Sequence, residues 1–191
     1  MKPKTRSVIR EWVESIIIAF ILAMVIRAFI VQAFKIPTGS MRPTLLEGDI
    51  ILVNKFIYGA KVPFTGIRLS AISQPKRGDV IVFIYPENPK KDFIKRLVAF
   101  PGEVVELKNG TIYINAKPLL DPEFSSRYYY NRGEFAKEEE KITVPKDSFF
   151  VLGDNSASSQ ESRYWGFVPH KNILGKALLI YWPPQRIRII K

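Results

Sequence analysis

Val104-Val105-Glu106-Leu107-Lys108-Asn109-Gly110-Thr111-Ile112-Tyr113-Ile114 is two short runs of β-forming residues separated by Asn-Gly. Asn and Gly both tolerate the positive φ that a tight two-residue turn requires, so this arrangement is the strongest short-range hairpin signal a sequence carries. It predicts a meander. Working outward, Leu45 to Val53 ends in an apolar, β-branched run, and Gly78 to Tyr85 contains a second. Ile142-Thr143-Val144, Phe149 to Leu152 and Ala177 to Trp182 add further strands, with prolines and glycines between them. The expected fold is mainly β, a compact antiparallel domain without repeats. Asp121 to Lys141, rich in charge and tyrosine, reads as an exposed excursion. Within it, Tyr128-Tyr129-Tyr130 beside Arg127 and Arg132 has the composition of a base-stacking surface. On an external domain it reads instead as a surface loop, and no nucleic-acid partner is expected.

The 191 residues are 47% hydrophobic and 13% aromatic, enough for one real core and an appendage. Cysteine is absent, which excludes disulfides, thiolate metal sites and a cysteine nucleophile. With His170 the only histidine, a His-rich metal centre is excluded too, and neither metal nor cofactor is expected. A net charge of +11 favours an anionic partner, nucleic acid or a lipid surface, without choosing between them.

The N-terminus chooses. Lys2, Lys4, Arg6 and Arg10 precede an almost unbroken apolar run from Trp12 to Val31. Twenty helical residues reach about 30 Å, the thickness of a bilayer's hydrocarbon core. Glu14 and Arg27 lie near its ends, where long side chains snorkel, and Trp12 and Phe29 suit an interfacial belt. A cleaved signal peptide is the rival reading, but the run is long for one and no small-x-small cleavage site follows it. A buried core helix is a second rival, weakened by a surface apolar all round. The expected organisation is a basic cytoplasmic tail (1–11), a single-pass anchor in the cytoplasmic membrane (12–33) and a β-rich domain on the outer face (34–191).

Past the anchor, Ile36-Pro37-Thr38-Gly39-Ser40-Met41-Arg42-Pro43-Thr44 brackets a glycine and a serine with prolines, which favours extended and turn geometry over helix. Ser40 is presented as a nucleophile needs to be, and Gly39 leaves room for a substrate backbone. The same residues also make an ordinary turn. A serine hydroxyl must pass its proton to a base, either histidine or a lysine held neutral. His170 follows Gly-Phe-Val-Pro and reads as part of a solvated turn. Lys95 lies in the mostly apolar, strand-like run Asp92 to Glu103, whose walls could lower its pKa from about 10.4 by the 2 to 3 units a base at neutral pH requires. Strand alternation points Ile94 and Arg96 away from it, with Arg96 outward. An ordinary exposed strand lysine fits the pattern equally well.

Ser40-Met41-Arg42-Pro43-Thr44, Arg77 to Phe83, Lys95 to Glu103, Gly153-Asp154-Asn155 and Ser162 to Pro169, in that order, resemble the successive sequence boxes of the bacterial type I signal peptidases. The resemblance covers the chain from the anchor to about Pro169. It implies a membrane-bound serine endopeptidase with a Ser-Lys dyad that acts on preproteins carrying signal peptides, close to membrane lipid and without a cofactor. Ser40 matches the nucleophile and Lys95 the general base. Thr38 falls where a hydroxyl assists the oxyanion hole, and Ser159 where a serine orients the lysine. Ile36 and Ile94 match apolar residues lining shallow pockets for small side chains. Asp154, Glu161 and Arg163 match a supporting salt-bridge network. The chain departs at Ser156-Ala157, where Arg-Asp is common, and at Glu161, where Asp is common. The connection from Glu106 to Pro145 is short, so one core with a small insertion is expected. Two other classes remain: a membrane-anchored β-rich binding module, and a self-cleaving Ser-Lys repressor, which would carry a DNA-binding domain where the apolar segment stands.

Overall fold

The computed structural model describes residues 8–62, 65, 67–135, 137–138 and 140–191. Lys2, Lys4 and Arg6 of the expected basic tail lie outside the described residues.

Helix α1 (Val8–Val25) continues through one π-helical stretch (Ile26–Ile30), so that 23 residues form a single apolar rod, long enough to cross a bilayer. None of its side chains is buried against the rest of the protein, which removes the core-helix reading. Its extent differs from the expected 12–33 at both ends. The helix starts at Val8, and Val31–Lys35 is already strand β1, because pairing with β2 (Ile50–Asn54) captures those residues in register from Val31↔Asn54 to Lys35↔Ile50. The Lys55 N–H donates to the Ile30 carbonyl at 2.9 Å, so the ladder begins where the helix ends.

The remaining strands are β3 (Val80–Ile84), β4 (Asp92–Ala99), β5 (Val104–Lys108), β6 (Thr111–Ile114), β7 (Lys117–Pro118), β8 (Lys141–Thr143), β9 (Ser148–Leu152), β10 (Val168–Pro169), β11 (Ile173–Trp182) and β12 (Arg188–Ile189). They form two antiparallel sheets. The larger has the order β1-β2-β11-β3-β4-β9-β10, with β12 on β11; the smaller is β7-β6-β5-β8. The mainly antiparallel expectation holds, and the small sheet is the insertion. Its hairpin turns where the sequence places it, with Lys108 paired to Thr111 and φ of 51° at Asn109 and 76° at Gly110.

Three buried clusters hold the layers. Val53, Val80, Val82, Ala177 and Ile180 pack with Met41 and Leu45, which seats the segment around Ser40 on the large sheet. Ile81, Phe83, Leu97, Val151 and Ile173 fill a second cluster, while Val105, Leu107, Ile112 and Phe150 join the two sheets. The 121–141 stretch departs from the exposed excursion expected of it. Phe124, on the short helix α2 (Pro122–Ser125), and Tyr129 are buried in the cluster between the sheets. Charged neighbours mask these two apolar anchors in the sequence. Tyr128 and Tyr130 do face solvent, with their rings edge to face at 4.9 Å.

Candidate active site

The site is built on the turn after β1. The Ile36 N–H donates to Asp49 O at 2.8 Å and the Gly48 N–H to Ile36 O at 2.9 Å, which extends the β1–β2 pairing up to the turn. Thr38 is extended and exposed, and Gly39–Met41 forms one 3₁₀ turn. Two bonds from Asn155 pin it: its N–H donates to Ser40 O at 3.1 Å and its Nδ2 to Gly39 O at 3.0 Å. A Cβ on Gly153 would stand 2.5 Å from Ser40 O, so only glycine lets that loop approach. Gly39, which lines the cleft at Ser40, also stands close to an ion pair. A Cβ there would meet Glu47 Oε1 at 2.9 Å and Arg42 Nε at 3.0 Å, so its bareness accommodates the Arg42–Glu47 ion pair.

Lys95 projects from β4 toward this turn and is 4% exposed. Its Nζ donates to Ser40 Oγ at 2.8 Å and to Ile94 O at 2.9 Å, and lies 5.4 Å from the centre of the Phe93 ring. Among the described residues no carboxylate forms an ion pair with it. Burial lowers its pKa to about 8, against a smaller upward pull from the more distant Glu161 and Asp154. The pair opens into a cleft of about 330 Å³, lined by Thr38, Ser40, Phe93, Ile94 and Lys95 with Ser158 and Gln160. Beside it lies an apolar recess of about 40 Å³ between Phe34, Ile36, Ile51, Val82 and Ile94. Ile94 borders both, while Ile36 belongs to the recess.

The supporting charges form two separate clusters rather than one network. Asp154 accepts from Arg96 Nε at 2.8 Å and Nη2 at 2.6 Å, from Arg127 Nη2 at 3.2 Å and from the Thr44 hydroxyl. Glu161, wholly buried, accepts from the Gly153 N–H and from Arg163 Nε; burial raises its pKa against the pull of Arg163. Arg163 continues to Tyr130 O at 2.5 Å and Ser156 O at 2.7 Å. The Ser156 hydroxyl accepts from the Tyr130 N–H at 3.0 Å, which gives this non-arginine position its own structural task.

Two residues stand apart from the positions expected of them. Arg96 is buried, not outward, because the other face of β4 is covered by the Thr44 turn and Asp154. Ser159 is buried next to Gly153, where its hydroxyl makes no hydrogen bond to Lys95 and acts instead on Glu161, whose carboxylate it helps hold charged. His170 packs against Phe149 at 5.8 Å, in a separate cavity with Asp147. Sequence reasoning missed Arg96, Arg127, Thr44 and Asn155. Each acts through a partner at least 27 residues away, so no local pattern announces it.

A family model described as "Signal peptidase, peptidase S26" matches residues 9–182. Signal peptidase I of Pseudomonas aeruginosa is 34% identical over 211 residues, covering 93% of this chain and 74% of its own. That of Leptolyngbya laminosa is 37% identical, covering 97% of this chain and 86% of its own. A solved signal peptidase I from Enterococcus faecalis is 33% identical and superposes with a TM-score of 0.46 over 56% of this chain and 98% of its own. A match from the membrane-length helix to the end of the last long strand, with relatives above 30% identity over nearly the whole chain, means that this chain belongs to the signal peptidase family, peptidase S26.

Proposed function

We propose that the protein is a membrane-bound serine endopeptidase that removes signal peptides from exported preproteins, with Ser40 as nucleophile and Lys95 as general base. The observation carrying this reading is the buried, unpaired Lys95 Nζ at 2.8 Å from Ser40 Oγ. Neutral Lys95 takes the Ser40 proton as Oγ attacks the scissile carbonyl; the resulting ammonium gives that proton to the leaving amine, and an ester to Ser40 remains. Lys95, neutral again, draws a proton from water as the water oxygen attacks the ester, and hands that proton to Ser40 Oγ as the C–Oγ bond breaks and the new carboxyl end leaves.

The oxyanion formed in each half needs donors about 3 Å away. The Ser40 backbone N–H is one candidate and the hydroxyl of Thr38, exposed on the cleft wall, the other. Ser159 is buried beside Gly153, and Asp154, Glu161 and Arg163 hold the loop that pins Ser40. The 40 Å³ recess, bordered by Ile36 and Ile94, suits only small substrate side chains. Val8–Ile30 is the anchor in the cytoplasmic membrane, with the N-terminus cytoplasmic, the β-domain on the outer face and lipid as its neighbour.

Incubation of the purified, detergent-solubilised full chain with a preprotein tests the reading. Wild type should release the mature protein with a single new N-terminus after a small residue, and Ser40→Ala should release none. Equal processing by Ser40→Ala would overturn the assignment.

A further inference from the structure

A second cleft, of about 400 Å³, lies across two short turns from the one that holds Ser40 and Lys95. Gly39 and Ser40 line the first cleft, Arg42 and Pro43 the second; Ser158 lines the first, Ala157 the second. Asn155 stands in the second cleft and is bonded to the carbonyls of Gly39 and Ser40, so the two hollows share a wall one residue thick. The Ile36–Ile94 recess adjoins the first cleft only. A peptide with its pre-cut side chains toward that recess must, after passing Ser40 Oγ, leave along the opposite wall.

The second cleft is basic. Arg42 and Arg127 line it, and Arg132 lies over the Tyr130 ring at 4.8 Å with Nη1 reaching Ala157 O at 3.4 Å. Two carboxylates oppose these guanidinium groups. Glu47 pairs with Arg42, and Asp154 is already engaged by both nitrogens of Arg96. Arg127 therefore holds Asp154 only through a shared 3.2 Å contact from Nη2, which also donates to the Thr44 hydroxyl at 3.2 Å, and its Nε and Nη1, buried under the cleft, have no hydrogen-bond partner. Among the described residues no carboxylate pairs with Arg132. The local excess is positive, in a concave site partly shielded from water, where charge acts more strongly than on a flat surface.

We propose that this cleft receives the part of the substrate that follows the cut and favours an acidic side chain within its first few residues, Arg42 and Arg132 meeting the carboxylate at the rim while Arg127 adds its charge from beneath. The proposal rests on the signal-peptide processing reading above.

The test uses the detergent-solubilised full chain and a peptide series differing only in Glu, Gln or Lys placed in turn at each of the first four positions after the cut. Arg132→Glu is the variant, since Arg132 touches neither Ser40 nor Lys95. For wild type, kcat/KM should fall from Glu to Gln to Lys by about threefold per step at one or more positions, mainly through KM, and the steps should shrink at high salt. Arg132→Glu should reverse the order of the Glu and Lys peptides at that position and leave the Gln peptide unchanged. The same ranking in both enzymes, or no ranking in wild type, would overturn it. So would an equal loss on all three peptides that appears only when anionic phospholipid is added, which would mark the cleft as a headgroup site. Cleavage of the Gln peptide is the control: its absence in wild type sinks the processing reading itself, whereas its presence without a charge order sinks only this one.

Discussion

Lys95 and Arg96 are neighbours on β4, both cations, both almost completely buried, and they behave in opposite ways. Alternation along a strand sends one to each face of the sheet. Lys95 meets a hydroxyl and a carbonyl, and burial brings its pKa down to about 8. Arg96 meets Asp154 through two nitrogens and adds the carbonyls of Gly78 and Lys191 at 2.7 and 3.1 Å. Burial without a counter-charge makes a group that can lose its proton near neutral pH. Burial with one makes a fastening, in this case between β4 and the loop behind Ser40.

The contrast can be broken most severely at Lys95. Lys95→Arg retains a cation that does not deprotonate, and should lower kcat/KM by at least about a thousandfold in a preprotein assay. In wild type the base must be neutral, so kcat/KM should climb about tenfold per pH unit below about 8 and level off above it. A flat profile between pH 6 and 9 would contradict the assignment of Lys95 as the base.

Arg96 should respond in stability rather than in chemistry. Asp154→Ala leaves Arg96 buried without its partner and should cost about 3 to 5 kcal/mol in denaturant unfolding, whereas Arg96→Met with Asp154→Leu should recover much of the loss. If the single change proved harmless, the fastening role would be wrong.

Next in size is a gain. The folded pKa of Lys95 lies below its unfolded value of about 10.4, so the unfolded chain holds the extra proton between about pH 8 and 10.4 and wild-type stability rises across that window. The penalty, roughly 3 kcal/mol, is fully present below about pH 8. Lys95→Met should therefore be inactive yet more stable at pH 7, by up to about 3 kcal/mol less the value of the two lost hydrogen bonds, with the advantage gone near pH 10.5. The smallest effect belongs to Arg127→Gln. Asp154 keeps Arg96 in that variant, and a loss of only about 1 kcal/mol is expected from thermal unfolding.

The same two neighbours show how far the sequence could be read. Strands announced themselves because burial patterns and Asn109-Gly110 are local, and those elements formed within a few residues of their expected bounds. Lys95 could be singled out as a desolvated amine from the apolar run around it. The environment of Arg96 could not, since its partner is 58 positions away and nothing near it tells a covered face from a wet one. Tyr129 was hidden for a related reason: a charged stretch suggests solvent, but one aromatic ring in it is enough to dock the segment on the second sheet. At Val31–Ala33 the apolar composition suits helix and strand alike, and the availability of β2 as a partner decides for strand.

The passage from helix to sheet has a mechanical side. The rod ends at Ile30, β1 begins at Val31, and backbone hydrogen bonds continue through Ile36 to the turn carrying Ser40. From Ile30 to Ile36 that path contains neither glycine nor proline. A 23-residue rod is about 35 Å long, so tilting it by some 10° swings its far end by about 6 Å relative to the sheet. With the rod seated in a bilayer as proposed, the lever run backwards would let lipids gripping it set the attitude of the whole β-domain, and a thicker or thinner bilayer would re-aim the cleft without touching any residue in it.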